Sequence, residues 1–188
     1  MSATSAPFGF VPIYHPTGNA RGTAYDGVIS AAYATSIYKY QPVYINAGVL
    51  EPGDGSVDLL GVFAGVEYQE AGTLRWVESN YWPASTSFVA GTIRAYVWDD
   101  PNIVYRVQAD GSIAAGNIGD QADGTNLTAN GSGLSQATLN HTLVGASSQG
   151  QWRIVNLYND LSNVWGDAYT IVNVQIAQQQ YISNKVAI

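Results

Sequence analysis

The chain has 188 residues, no cysteine and a formal net charge of −7, from 14 acidic and seven basic residues. The lack of cysteine excludes disulfides, zinc fingers, iron–sulfur clusters and thiol nucleophiles, and the absence of a basic run argues against nucleic-acid binding, which depends on Lys and Arg contacts to phosphate. Only 11% of the residues are charged, whereas soluble proteins average about 25%.

Aromatic residues are abundant in this weakly charged chain, with 13 Tyr, five Trp and four Phe. A folded chain of 20.0 kDa exposes roughly 8,700 Å², so the surface carries about one charge per 400 Å². Protein interfaces are depleted in charge at their centres and enriched in Tyr and Trp. The composition therefore favours a surface that partly faces another protein; a β-protein coated in neutral polar side chains is the alternative.

No apolar stretch reaches the roughly 20 residues that a membrane-spanning helix needs. Residues 1–7 lack the basic and apolar regions of a secretory signal. We therefore expect neither a membrane nor a nucleic acid as partner, and a product that is used without crossing a membrane by the general route.

Residues 1–24 are predicted to form an extended N-terminal arm. Prolines 7, 12 and 16 prevent helix continuation, yet the segment keeps apolar side chains such as Phe8, Phe10 and Val11. An apolar arm needs a cover, which would be either the chain's own domain or a neighbouring subunit.

After the arm, short strand-like runs alternate with turns rich in Gly, Pro and Asp. The runs cover residues 36–40, 43–45, 59–68, 73–77, 92–98, 103–108, 139–144, 151–158 and 168–177. Gly61 and Gly65 inside the third run indicate a bulge or a close backbone approach.

The runs 92–98 and 103–108 both alternate apolar and polar residues, which predicts a hairpin through a turn at 99–102. Residues 116–133 show no apolar periodicity and are predicted to be a polar loop. No window favours a helix of three turns. About nine or ten short strands predict an all-β fold, a jelly-roll-like β-sandwich with residues 25–188 as a single domain behind the arm.

Residues suited to catalysis or metal binding are sparse. His15 and His141 are the only histidines, and Gly145–Gly150 has the wrong spacing for a nucleophile elbow. The acidic residues fall mainly in turns, although Glu67, Glu70 and Glu78 could form a carboxylate pair. The segment 120–126 invites a calcium hypothesis but lacks the EF-hand spacing. We expect no enzyme activity, no cofactor and no metal.

The aromatic and arm residues are the remaining candidates for a function. We predict that a partner contacts Phe8, Phe10, Val11, Tyr14, His15, Tyr81, Trp82, Tyr96 and Trp98. Tyr96 and Trp98 share the less aliphatic face of their run, which favours exposure. Packing in a core and a platform for sugar binding are the alternatives for the aromatic residues.

Five segments of the chain carry a resemblance to a known family. They are FGFVPIYHPTG (residues 8–18), YATSIYKYQPV (33–43), LGVFAGVEY (60–68), YWP (81–83) and WGDAYTIVNVQI (165–176). They resemble segments of small structural proteins of tailed bacteriophages and prophages, and the chain is similar to capsid decoration, or cement, proteins.

The resemblance implies a β-sandwich on the outer capsid surface of the virion, commonly a homotrimer at three-fold positions. The implied partners are the major capsid protein and further copies of the chain, and the implied site of synthesis is the bacterial host cytoplasm. A head-fibre, tail or receptor-binding virion component and a carbohydrate-binding module remain as alternatives.

Overall fold

The computed structural model describes residues 2–55 and 57–182. The fold is essentially all-β, with 39% of residues in strands and 2% in helix, which confirms the predicted class. A single 3₁₀ turn spans Ala115–Asn117. The strands are β1 Val11–Tyr14, β2 Thr23–Asp26, β3 Pro42–Asn46, β4 Val49–Pro52, β5 Gly61–Gln69, β6 Trp76–Ser79, β7 Arg94–Trp98, β8 Val104–Gln108, β9 Gln121–Ala122, β10 Gly124–Thr125, β11 Thr138–Leu139, β12 Trp152–Leu157 and β13 Ile171–Ile176.

The strands form two main antiparallel sheets and one short pair. The first sheet has the order β1-β8-β13-β12-β9, and the second has the order β2-β7-β5-β3-β4 with β6 paired to β5. Strands β10 and β11 pair with each other. The architecture is consistent with a β-sandwich, whereas these strand orders do not confirm a jelly roll. Among the described residues, no helix is long and apolar enough to cross a membrane.

Two hydrophobic cores lie against these sheets. The first contains Tyr105 and Trp152 from the first sheet, and the second contains Val97 of β7 together with Trp82. Strand β5 joins the cores because neighbouring residues of a strand face opposite ways: Val62 packs in the first core and Phe63 in the second.

The predicted hairpin between residues 92–98 and 103–108 is wrong. Strand β7 pairs with β2 and β5, whereas β8 pairs with β1 and β13, so residues 99–103 carry the chain from one sheet to the other. The assignment of faces is confirmed, since Ala95 and Val97 are buried while Tyr96 and Trp98 are partly exposed. Alternation reports which side chains face a core, but it does not report which strand is the neighbour.

The predicted arm is extended but is not separate from the domain. Strand β1 pairs with β8 at the edge of the first sheet, and β2 pairs with β7 at the edge of the second. The Phe10 N–H donates to the Tyr40 carbonyl at 2.9 Å. Of the two covers considered for the arm, the chain's own domain is the one observed.

The glycines of β5 behave as predicted. A Cβ on Gly61 would lie 2.2 Å from the Trp98 carbonyl oxygen, so only glycine allows this approach. Gly65 has a φ of +154° at the bulge opposite β7, and a Cβ there would lie 2.9 Å from the Ser79 carbonyl oxygen.

Residues 116–133 are more ordered than a polar loop. They contain β9 and β10, and the side chains of Gln121 and Ala122 are fully buried. A buried glutamine is stable when it is hydrogen-bonded, and the Gln121 Oε1 atom accepts from the Gly150 N–H at 2.9 Å. Because these strands contain buried polar side chains, they show no apolar periodicity, and the sequence pattern did not predict them.

Candidate functional site

Phe10 and Trp82, both predicted to contact a partner, are fully buried in the two cores. The Phe10 ring stacks on Trp152 with centroids 4.1 Å apart. The Trp82 ring packs edge-on against Tyr68 and Phe88, at 5.5 and 5.8 Å. Their assignment to a partner-binding surface is therefore wrong, because their side chains have no surface left to offer.

The other arm residues lie nearer the surface. Phe8 and Val11 are half-buried, and Tyr14 is 44% exposed. The guanidinium carbon of Arg106 lies 5.0 Å from the Phe8 ring centroid and 4.8 Å from that of Tyr158, so the cation is held between two aromatic rings. Phe8 thus has a packing role within its own chain.

His15, in the arm, contacts residues 99–103, which connect the two sheets. Its Nδ1 atom accepts from the Thr17 N–H at 3.1 Å, and its Nε2 atom lies 3.1 Å from Asp100 Oδ2. Thr23 and Tyr25 donate their hydroxyl groups to Asp99, both at 2.6 Å. Burial, followed by the bond to Asp99, raises the pKa of the Tyr25 phenol. These contacts hold residues 15–25 on the connection 99–103.

Tyr96 and Trp98 line an open groove of about 490 Å³ on the exposed face of the second sheet. We call it the β5–β7 groove; its lining residues are Gly22, Lys39, Ala64, Gly65, Val66, Glu78, Ser79, Asn80, Tyr96 and Trp98. Tyr40 stacks on Trp98 with centroids 5.7 Å apart. Tyr81 lies just beyond Asn80, stacks on Tyr38 at 6.1 Å and packs over Gly133.

The turn between β5 and β6, together with the first residue of β6, exposes two large apolar residues that our set of partner residues omitted. Leu74 is 63% exposed and Trp76 is 64% exposed. The Leu74 N–H donates to the Glu70 carbonyl at 2.9 Å, and the Gln69 amide donates to the Leu74 carbonyl at 2.8 Å. A single leucine in a polar turn gives no sequence signal of exposure.

Of the three glutamates considered as a carboxylate pair, Glu67 and Glu78 lie directly opposite each other on β5 and β6, whereas Glu70 lies beyond the end of β5. Glu67 pairs with Arg94 at 3.3 Å, Glu70 accepts from Thr73 at 2.6 Å, and Glu78 lines the groove. Within residues 2–55 and 57–182, no three His, Cys, Asp or Glu side chains are placed to hold a metal ion together.

The segment 120–126 is organised by its own hydrogen bonds. Asp123 accepts from the Gln151 N–H at 3.1 Å, and burial raises the pKa of its carboxyl group. The Asn117 amide donates to Asp120 at 3.1 Å. At residues 145–150, the Ser148 N–H donates to the Gly145 carbonyl at 2.9 Å, which makes this segment a turn.

No protein-family model matches the chain, and neither a curated protein nor a solved structure matches it.

Proposed function

We propose that the chain is a structural protein of a tailed-bacteriophage virion that decorates the outer capsid surface and stabilises it. Its partners in this proposal are the major capsid protein and further copies of itself in a homotrimer, bound across the junctions between capsomers. The chain would be made in the bacterial host cytoplasm and would act in the virion. The resemblance of the five sequence segments to phage structural proteins is one support for this function.

The observation that carries the proposal is the pair of apolar anchors on the β5–β6 turn. Leu74 and Trp76 stand out from a surface of 8666 Å² that has about one charge per 400 Å². Tryptophan is enriched among the residues that dominate binding energy at protein interfaces.

The turn is held in one conformation before any partner binds. Leu74 has a φ of +58°, a strained value for leucine, and the bonds to the Glu70 carbonyl and from the Gln69 amide fix it there. The Thr73 hydroxyl also donates to Glu70 at 2.6 Å. An anchor that is ordered in advance loses less entropy on binding.

Binding would stabilise the shell through mass action. A protein that binds the assembled shell and not its free subunits shifts the equilibrium toward the shell. A trimer would place three such turns on neighbouring capsomers, and linked contacts raise the effective concentration at each of them. Because β1 and β2 are already paired within the chain's own sheets, the turn replaces the arm as the element that reaches the capsid.

Immunogold electron microscopy of particles from the phage that encodes the chain tests the location. We expect gold label over the head of the particle. Label over the tail, or unlabelled particles, would refute the capsid assignment. Light scattering of the purified chain tests the homotrimer, which should have three times the monomer mass.

Binding of variants to capsids stripped of the protein tests the anchors. We expect Trp76→Ala to weaken binding by about 2 kcal/mol, or roughly thirtyfold, because tryptophan is typical of the residues that dominate interface energies. Leucine is less common among them, so Leu74→Ala should cost about 1 kcal/mol, or roughly fivefold. Leu161→Ala is the control, because it removes an even more exposed leucine that lies outside the β5–β6 turn. Equal binding by all three variants and the unmodified chain would remove the turn from the capsid contact.

A further inference from the structure

The β5–β7 groove is a shallow trough across the second sheet. Ala64 and Gly65 of β5 form its centre, with Tyr96 and Trp98 of β7 on one side and residues 78–80, at the end of β6, on the other. Its volume of about 490 Å³ lies within the range of small-molecule sites, roughly 300–1,000 Å³.

Two glycines keep the groove open, for different reasons. Gly65 is required by the backbone, since a Cβ there would meet the Ser79 carbonyl oxygen at 2.9 Å. Gly22 is not required: a Cβ on it would have no neighbour closer than 3.7 Å, and its φ lies outside the left-handed region. Packing therefore does not explain glycine at position 22, whereas an open groove does.

Stacking on Tyr40 fixes the Trp98 side chain at the groove. Trp98 and Tyr40 are nearly parallel, with an interplanar angle of 11°. Lys39 lies with its Nζ atom 5.5 Å from the centroid of Tyr40 and 3.3 Å from Asn80 Oδ1. The groove thus has an aromatic wall and an ammonium group held in place, which limits the ordering cost when a ligand binds.

The polar side chains of the groove include a positive and a negative charge, and both hydrogen-bond donors and acceptors. Lys39 supplies a cation and a donor, Glu78 an exposed anion and acceptor, and Asn80 an amide that both donates and accepts. One positive and one negative charge leave no net charge to attract an ionic ligand.

These features select among ligand classes. A nucleotide or other phosphorylated ligand needs several cations, and the groove has one beside a carboxylate. A wholly apolar ligand would leave Lys39, Glu78 and Asn80 desolvated without partners. A peptide strand needs a sheet edge for its backbone bonds, whereas the groove lies on the face of the sheet. A neutral sugar offers C–H faces to aromatic rings and hydroxyl groups that both donate and accept.

We propose that the β5–β7 groove binds a neutral oligosaccharide, with Tyr96 and Trp98 contacting the sugar rings and Lys39, Glu78 and Asn80 bonding to their hydroxyl groups. This binding activity is separate from attachment to a capsid, because it uses neither Leu74 nor Trp76.

Isothermal titration calorimetry of the full chain tests the site with maltohexaose, cellohexaose and chitohexaose. Each is used at about 5 mM, which would occupy most of a site with a Kd of about 1 mM. We expect saturable one-site binding of at least one of the three. A sulfated heparin hexasaccharide is the charged comparison and should bind more weakly.

Variants assign the binding to the groove. Gly22→Leu should fill the groove and weaken binding by more than about tenfold, since the position has room for a side chain. Gly72→Leu is the matched control; no atom lies within 4 Å of a Cβ there, and the groove is not lined by this residue. Tyr96→Ala should weaken binding by about three- to tenfold, the effect of one aromatic contact.

Each outcome bears on the proposal. Saturable binding that Gly22→Leu removes and Gly72→Leu retains supports it. The proposal is overturned by the absence of binding for all three neutral sugars, by tighter binding of the heparin fragment, or by binding that Gly22→Leu leaves intact while circular dichroism shows the same fold. Capsid attachment is measured separately, so either function can fail alone.

Discussion

Replacing Phe10 by alanine distinguishes an arm built into the domain from an arm that only lies against it. The Phe10 ring is fully buried, stacks on Trp152 at 4.1 Å with an interplanar angle of 15°, and belongs to the first core. Gly9 precedes it with a φ of +76°, and a Cβ there would meet the Tyr40 carbonyl oxygen at 2.7 Å. Both residues are therefore fitted to one position in the domain.

The size of the effect follows from this burial. Truncating a buried phenylalanine to alanine costs about 3–5 kcal/mol, because apolar contacts are lost and a cavity remains. For a domain of this length, 1 kcal/mol lowers the midpoint of thermal unfolding by about 2–4 °C, so Phe10→Ala should lower it by about 10 °C. Phe8→Ala is the matched control: Phe8 is half-buried over the Arg106 cation, and its loss should cost about 1 kcal/mol.

Urea unfolding followed by circular dichroism measures the free energy of unfolding of both variants. A detached arm would give nearly equal, small losses for Phe8→Ala and Phe10→Ala, and that result would refute the placement of Phe10 in the core. The placement also means that deletion of residues 1–21 unfolds the domain, so a loss of capsid binding by that deletion would not identify a contact.

Three further outcomes follow from individual contacts. Gly61→Ala should strongly destabilise the chain because a Cβ would lie 2.2 Å from a β7 carbonyl oxygen, whereas Gly72→Ala should not; thermal unfolding compares them. Hydrogen bonds from the Ser2 hydroxyl and, less strongly, from the Val164 N–H lower the pKa of Asp167. The ionised carboxylate therefore adds to the free energy of unfolding at pH values above the ordinary aspartate pKa of about 3.9, and this contribution is lost as the pH falls through the lowered pKa. Ser2→Ala should raise this pKa in a carboxyl NMR titration, and an unchanged value would contradict the bond. Trp76→Phe should reduce the acrylamide-quenchable fluorescence, since Trp76 is 64% exposed, Trp98 and Trp165 are partly buried, and Trp82 and Trp152 are buried; unchanged quenching would contradict the exposure of Trp76.

The β5–β7 groove shows why single residues were easier to predict than the site they form. Alternation in residues 92–98 placed Tyr96 and Trp98 away from Val97, and the structure agrees. The groove also requires Gly22 and Glu78, which lie 76 and 20 residues before Trp98 in the chain. No local sequence pattern reports that such distant segments are neighbours in the fold. Sheet pairing, not composition, brings them together.

Trp82 illustrates the converse error. Its segment, residues 81–83, contains two aromatic residues and a proline, which is typical both of an exposed platform and of a chain that turns into a core. The backbone of Trp82 pairs with Ile37, and this bridge directs the indole into the second core against Tyr68. The choice depends on a partner 45 residues away in the chain, and the local sequence carries no information about it.

Periodicity and backbone freedom within a few residues were enough to predict the all-β class, the inward faces of β7 and β8, and a bulge or close approach at Gly61 and Gly65. The fold was needed to show that β7 and β8 belong to different sheets, that β1 and β2 pair within the chain's own sheets, and that Phe10 is buried while Trp76 is exposed. The physical reason is that strands pair through backbone groups common to every residue, so the choice of neighbour depends on packing of the whole chain.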